Sequence, residues 1–280
     1  MGFGTSAPDI IVAAIASLQQ TPGVAVGNAI GSNIANIGLV LGVGAVIAPL
    51  TVSSTLLKRE YPVLFMVTCL LLLLMSDLHL SNTDGFILLA ATAAMLVWLF
   101  WLSATAGRKH DPIENEFEAE MPTDLSTPKA LIWTVFSLAL LVGSSHILVW
   151  GAVHIATQFG VSELVIGLTI IAVGTSLPEV AVSVSAALKK EHDIVLGNIV
   201  GSNMFNSLAV VGIASSIEEA PLTQVVLTRD FSVMFALTIA MFVMAYGFRG
   251  SGRINRFEGV VLLLGYMSYM GWLYVSEIKA

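Results

Sequence analysis

The chain has 280 residues, of which 56% are hydrophobic and only 11% are charged, and its formal net charge at pH 7 is −7. An average soluble domain carries about 25% charged residues, so this composition excludes a soluble globular protein, a disordered chain and a nucleic-acid-binding protein. The single cysteine, Cys69, lies in the apolar run of residues 63–75, which excludes a disulfide framework and a thiolate metal site. An integral membrane protein is predicted.

Nine apolar segments are candidates for transmembrane helices. Crossing the hydrocarbon core of a bilayer takes about 20 predominantly apolar residues, and short polar breaks separate the candidates. The predicted spans are residues 2–18, 24–52, 61–76, 85–103, 130–156, 164–188, 194–216, 231–246 and 257–275. The predicted fold class is therefore an all-α membrane protein, a bundle of nine helices.

The basic residues indicate how the chain is oriented. If the acidic linker of residues 104–128 is cytoplasmic, ten of the twelve Lys and Arg residues fall on the same side, and only Arg229 and Lys279 fall on the other. Short cytoplasmic loops are enriched in these residues. We therefore expect a multi-pass protein of the plasma (inner) membrane, with a solvated, cytoplasmic linker.

An internal repeat with an offset of 170 residues runs through the chain. Residues 4–36 align without a gap onto residues 174–206, and thirteen of the thirty-three positions are identical, many of them polar. The second copy begins five predicted spans after the first, an odd number, so the copies must have opposite orientations in the membrane. Transporters with such inverted repeats bind their substrate near the midplane, where the two halves meet. The predicted division is a first repeat (1–103), the linker and a second repeat (129–280).

The two repeats differ at their beginnings. The second repeat has a span, residues 130–156, ahead of its motif, whereas no equivalent precedes the motif of the first repeat. We therefore expect the chain to be an N-terminally truncated form that lacks its leading span.

Two carboxylates, Asp9 and Glu179, lie well inside predicted spans and occupy equivalent positions in the repeats. An ionisable residue inside the bilayer is costly and indicates a functional site by default. The predicted spans contain no Lys or Arg that could pair with these acids. The compensating charge is therefore expected to come from bound cations or protons.

Oxygen-bearing residues surround both acids in the sequence. Each acid follows a proline in a Gly-Thr-Ser-x-Pro-acid motif, and proline disrupts a helix, so backbone carbonyls near Gly2 and Ala172 are expected to become available. A second motif, Gly-Asn-x-x-Gly-Ser-Asn-x-x-Asn, places a serine and an asparagine on one helical face. The candidate ion ligands are Asp9, Glu179, Asn36, Asn206, Thr5, Ser6, Ser32, Thr175, Ser176, Ser202, Gly2 and Ala172. An all-oxygen set suits hard cations such as Ca²⁺ and Na⁺. No cofactor is expected, and no arrangement of nucleophile and base indicates an enzyme.

At these residues the sequence resembles the cation/calcium exchanger superfamily, and within it the prokaryotic sodium/calcium exchangers of ten helices. The resemblance covers nearly the whole chain and implies a ten-helix inverted-repeat fold that here lacks its first helix. It also implies antiport of Ca²⁺ against Na⁺ by alternating access. Asp9 and Glu179 would be the central ligands, the hydroxyls and the carbonyls would serve Na⁺, and Asn36 and Asn206 would complete the centre.

The sequence departs from the family pattern at two positions. Some members have an aspartate where Asn206 stands, and many have a glutamate where Asp9 stands. Because Asn206 is uncharged, the site has a charge of at most −2. This charge balances one Ca²⁺ or two monovalent ions.

Two other functions stay open at this point. The first is a Ca²⁺ exchanger coupled to H⁺ or K⁺, although the many hydroxyls favour Na⁺. The second is a non-transporting truncated copy. The polar residues of the motifs, which match position by position in both repeats, argue against it.

Overall fold

The computed structural model describes residues 6–52, 56–105, 127–246 and 252–278, and these residues are predominantly helical. The helices are α1 (Ala7–Leu18), α2 (Pro22–Ile47), α3 (Tyr61–Met75), α4 (Asn82–Thr105), α5 (Thr127–Phe159), α6 (Glu163–Thr175), α7 (Leu177–Lys189), α8 (His192–Ile217), α9 (Val226–Ala245) and α10 (Arg256–Ile278). They lie at all nine predicted positions, because α6 and α7 share one of them. The predicted all-helical fold is confirmed. Gly2, Thr5 and most of the linker lie outside the described residues.

Five of the described helices, α2, α4, α8, α9 and α10, are each long and apolar enough to cross a membrane. Together α6 and α7 make a sixth candidate span, which is bent by 42° at the break between them. Pro178 lies at the start of α7, and proline both lacks an amide hydrogen and clashes with the preceding turn. In the second repeat, the proline motif therefore coincides with a break in the helix, as predicted.

The repeat is also visible in the backbone. Widened π-helical turns occur at Asn36–Leu41 in α2, Asn206–Val210 in α8, Leu56–Glu60 before α3 and Val226–Phe231 in α9. The first two begin 170 residues apart, and so do the last two, which is the offset of the aligned motifs. Because π-helical turns occur frequently at functional sites, their position makes Asn36 and Asn206 candidate functional residues.

The core is formed by α2 and α8. In their most apolar windows 78% and 89% of the residues are buried, compared with 22–39% in α4, α9 and α10. The last helix of the first repeat, α4, packs against α8, and the last helix of the second repeat, α10, packs against α2. Each central helix is therefore covered by a helix from the other repeat.

Two short antiparallel strand pairs, the β clasps, also connect the repeats. Strand β1 (Leu50–Thr51) follows α2 and pairs with β4 (Arg253–Ile254), which precedes α10. Strand β2 (His79–Leu80) precedes α4 and pairs with β3 (Ala220–Pro221), which follows α8. Strand β1 contacts the first part of α8, whereas β3 follows its last residue, so the two clasps lie at opposite ends of this helix.

Glycines allow α2 and α6 to cross at backbone contact. A Cβ on Gly27 would lie 2.3 Å from the carbonyl oxygen of Leu164, and a Cβ on Gly167 would lie 2.4 Å from that of Val24. Side chains larger than hydrogen are excluded at both positions, which is the usual role of small residues where membrane helices meet. This crossing brings Asn28 and Ser32 of the first repeat next to Thr175 of the second.

Candidate ion-binding site

Asp9 is buried in the first turn of α1, directly after Pro8. Its Oδ1 accepts a hydrogen bond from Asn28 Nδ2 at 2.8 Å and another from Ser32 Oγ at 3.3 Å. Both partners lie one turn apart on α2 and are fully buried. The carboxylate is thus held by two neutral donors and by the partial positive charge of a helix N-terminus.

Thr175, from the second repeat, closes this arrangement. Its hydroxyl lies 3.1 Å from Asn28 Oδ1, to which it donates, and 3.3 Å from Ser32 Oγ. Asp9, Asn28, Thr175 and Ser32 therefore form a ring of polar contacts, which we call the cross-repeat ring. Sequence reasoning predicted three of its four members as ligands, and the structure brings them together.

Glu179 occupies the equivalent position in the second repeat, buried in the first turn of α7 and directly after Pro178. Asn198 and Ser202, the counterparts of Asn28 and Ser32, are buried on α8. The residue that corresponds to Thr175 is Thr5, which lies outside the described residues. The described part of the second half thus repeats the elements of the first half in the same order.

Four asparagines, the amide centre, lie where α2 and α8 meet. Asn36 Nδ2 donates to Asn203 Oδ1 at 3.0 Å, and Asn203 Nδ2 lies 3.5 Å from the backbone oxygen of Asn33. Asn33 Nδ2 donates to Ser207 Oγ at 2.9 Å. The fourth member, Asn206, is fully buried, and within the described part of the chain its amide has no hydrogen-bond partner.

Several oxygens of the predicted ligand set lack partners. In the described residues, the buried atoms without a hydrogen bond include Ser6 Oγ, Ser176 Oγ, Asn36 Oδ1 and Asn206 Oδ1. Most buried polar atoms in proteins are hydrogen-bonded, and exceptions call for an explanation such as a bound ion. These four oxygens belong to residues that the repeated motifs had indicated.

The hydrogen bonding of the Ala172 carbonyl differs from the prediction that the helix break makes this group available. It is not released by the helix break, because it accepts a hydrogen bond from Ser176 N at 3.0 Å and lies 3.3 Å from Thr175 Oγ1. The reason is positional: Pro178 lacks the amide hydrogen that would bond four residues earlier, to Gly174 rather than to Ala172. A carbonyl oxygen has two lone pairs, so Ala172 can still accept a further contact.

Sequence reasoning left four asparagines out of the predicted ligand set: Asn28, Asn33, Asn198 and Asn203. Asn28 contacts Asp9 directly, and Asn33 and Asn203 belong to the amide centre. The same asparagines occur at equivalent positions of both repeats, and this match could have indicated them. The serines and the last asparagine of the motif had been selected on helical spacing alone.

The structure also buries a charged pair that the predicted spans excluded. The predicted span begins at residue 231, but α9 begins at Val226 and buries Arg229 and Asp230. Arg229 Nε and Nη2 donate to Asp230 Oδ1 and Oδ2 at 2.7 and 3.2 Å, and the Tyr269 hydroxyl donates to Oδ1 at 2.9 Å. The helix therefore begins five residues before the predicted span, and the two charged residues in this extension are buried as an ion pair.

Comparison with known protein families identifies the family of this chain. A family model described as sodium/calcium exchanger protein matches residues 1–101 and 129–275. The chain belongs to the sodium/calcium exchanger family. The resemblance inferred from the repeated motifs is thereby confirmed, and the family is one of membrane transporters rather than enzymes.

Relatives of this exchanger match it over almost its full length. The protein CaxA of Alkalimonas amylolytica is 44% identical over 276 residues, which cover 99% of this chain and 86% of CaxA. The sodium/calcium exchanger MaX1 of Methanosarcina acetivorans is 28% identical and covers 96% of this chain and 85% of its own. The solved structure of the sodium-calcium exchanger NCX_Mj superimposes with a TM-score of 0.68 at 30% identity, covering 97% of this chain and 84% of NCX_Mj.

Proposed function

We propose that this exchanger moves Ca²⁺ across the membrane in exchange for Na⁺, by alternating access to a single site built from both repeats. Family membership supports exchange of cations that include Ca²⁺. The observation that carries the location of the site is the cross-repeat ring, in which Asp9 of the first repeat contacts groups that also contact Thr175 of the second. A site shared by two inverted halves changes shape when the halves move relative to each other.

The proposed ligands are the residues that the motifs predicted. Asp9 and Glu179 supply the charge, and the hydroxyls, the amides of Asn36 and Asn206 and the carbonyls supply neutral oxygens. Thr5, Ser6, Ser32, Thr175, Ser176, Ser202, Gly2 and Ala172 complete the set. Oxygen ligands of this kind suit Ca²⁺, which takes 6–8 of them.

Charge balance supports exchange rather than cotransport. Two carboxylates give a charge of −2, which one Ca²⁺ or two Na⁺ neutralise. Simultaneous occupancy by both ions would leave excess positive charge in a medium of low dielectric, where repulsion between ions is strong. Each ion therefore displaces the other.

Transport in proteoliposomes tests the proposal. Vesicles loaded with Na⁺ are diluted into Na⁺-free medium that contains ⁴⁵Ca²⁺, and K⁺ and proton gradients of equal size are compared. We expect uptake with the Na⁺ gradient only, and its loss in Asp9→Asn and in Glu179→Gln. Glu219→Gln, which changes an exposed acid, is the control and retains uptake. A K⁺ or proton gradient that drives equal uptake contradicts Na⁺ coupling, and normal uptake in either acid variant contradicts the site.

A further inference from the structure

Ser183 carries a buried hydroxyl that is not among the predicted ion ligands. It lies on α7, four residues after Glu179, and the two residues are 0% and 1% exposed. Residues four apart in a helix lie on the same face, with Cβ atoms about 5–6 Å apart. The Ser183 hydroxyl is therefore one turn away from the acid, on the face of α7 that the acid occupies.

The Ser183 hydroxyl has no hydrogen-bond partner within the described part of the chain. Four other buried hydroxyls in helices donate to the carbonyl four residues earlier, at 2.7–2.9 Å: those of Thr68, Thr92, Ser215 and Thr238. Such back-bonding is common for serine and threonine in helices, but Ser183 does not donate to the corresponding carbonyl, that of Glu179. A buried hydroxyl without a partner is costly, and it calls for an explanation such as a bound ion or water.

The surroundings of α7 place Ser183 near other proposed ligands. Helix α7 contacts α8, which carries Ser202, and the π-helical turn Asn36–Leu41 of α2. In the first repeat, the residue equivalent to Ser183 is Ala13, which is also fully buried. The second half of the site therefore has one hydroxyl oxygen more than the first half.

The charges of the exchanged ions indicate which ion would use this oxygen. One Ca²⁺ shared by Asp9 and Glu179 is attracted by both acids and is held between them. Two Na⁺ in the same site repel each other, so each is displaced toward one acid and needs additional neutral oxygens there. Two oxygens that bind one ion at about 2.4 Å lie up to about 5 Å apart, a separation that side chains one helical turn apart can reach.

We propose that the Ser183 hydroxyl is an additional ligand of a Na⁺ bound beside Glu179 and that it does not bind Ca²⁺, an assignment that rests on the proposed exchange of Ca²⁺ for Na⁺. Because Ala13 has no oxygen to offer, the Na⁺ beside Asp9 lacks this ligand, and the two Na⁺ positions differ in affinity. Ser183 thus raises the affinity for Na⁺ relative to that for Ca²⁺.

Displacement of bound Ca²⁺ by Na⁺ tests this assignment. The purified full chain in detergent is equilibrated with ⁴⁵Ca²⁺, and NaCl replaces choline chloride at constant ionic strength. In Ser183→Ala we expect the half-displacing Na⁺ concentration to rise about five-fold and the dissociation constant for Ca²⁺ to change less than about two-fold. Ser183→Cys keeps the size of the side chain but replaces a hard oxygen with a soft sulfur, so it should weaken Na⁺ binding as the alanine variant does.

Ser17→Ala is the matched control. Ser17 is also fully buried on its helix, and its hydroxyl has no partner among the described residues. It lies two turns after Asp9, about 12 Å along the helix axis, which is too far for a shared ion. We therefore expect the half-displacing Na⁺ concentration of this variant to equal that of the unmodified protein.

Thermal unfolding without Na⁺ and Ca²⁺ separates a ligand from a structural hydroxyl. Removing a buried hydroxyl that has no partner removes its desolvation cost, so Ser183→Ala should be at least as stable as the unmodified protein. A lower unfolding temperature of Ser183→Ala, an unchanged half-displacing Na⁺ concentration, or an equal loss of Ca²⁺ affinity overturns the assignment. If Na⁺ does not displace Ca²⁺ from the unmodified protein, the proposed exchange is itself contradicted, and the assignment with it.

Discussion

At the residue scale, Asn28 joins the polar groups of the two repeats. It donates to the Asp9 carboxylate and accepts from the Thr175 hydroxyl, and it is fully buried. The two contacts together need a side chain that both donates and accepts, and an amide does both. Asn28 therefore positions the Asp9 carboxylate relative to the Thr175 hydroxyl on a different helix.

Asn28→Ala tests this positioning role. A hydrogen bond to a charged group contributes about 1.5–3 kcal/mol, so its loss is expected to raise the half-saturating Ca²⁺ concentration about ten-fold or more. The maximal exchange rate should fall much less, because the carboxylate itself is kept. Concentration-dependent ⁴⁵Ca²⁺ uptake separates the two quantities. A lower maximal rate at an unchanged half-saturating concentration would indicate a purely structural residue.

At the element scale, the apolar segments predicted where helices lie, but not how they are interrupted. The break between α6 and α7 could be anticipated from Pro178, because proline acts on the backbone directly. No proline lies within or next to the π-helical turns at Asn36 and Asn206, so these turns could not be anticipated in the same way. The start of α9 was missed because the span was predicted from apolar residues alone. Arg229 is buried only because it pairs with Asp230, and a count of apolar residues does not detect such a pair.

The α2–α6 crossing gives a second prediction. Gly27→Ala would place a Cβ 2.3 Å from a backbone oxygen of Leu164, and such overpacking costs about 1–3 kcal/mol. We expect a lower unfolding temperature and reduced ⁴⁵Ca²⁺ uptake, because the helices that carry Asn28 and Thr175 must move apart. Gly265→Ala is the matched control: it lies on α10 with no described atom within 4 Å of the added Cβ. Alanine is the better helix former, so this variant should be at least as stable as the parent.

At the scale of the whole molecule, ion binding and stability are linked. In the proposed site, the buried acids Asp9 and Glu179 would repel each other when no ion is present, and a bound cation would relieve this repulsion. Helix packing and the β clasps hold the two repeats together, so an ion bound at the proposed site between them would stabilise the complete fold.

Calcium should therefore protect the detergent-solubilised protein against heat. A ligand at 100 times its dissociation constant stabilises the native state by about 2.7 kcal/mol. We expect the unfolding temperature to rise with Ca²⁺, to return after chelation, and to stay unchanged with Ca²⁺ in Asp9→Asn. Choline chloride at equal ionic strength controls for screening. A Ca²⁺ effect of the same size in Asp9→Asn would place the stabilising ion elsewhere.

The interlocking of the two repeats has a consequence for how the chain acquires its structure during synthesis. Helix α2 is made early, yet its cover, α10, and the partner strand of β1, residues 253–254, are made last. Contacts between such distant parts of a chain form slowly, because a long loop must be closed first. Helix α2 therefore lacks its α10 cover, and β1 its partner strand, until almost the entire chain has been translated, which makes assembly of the first half dependent on completion of the second.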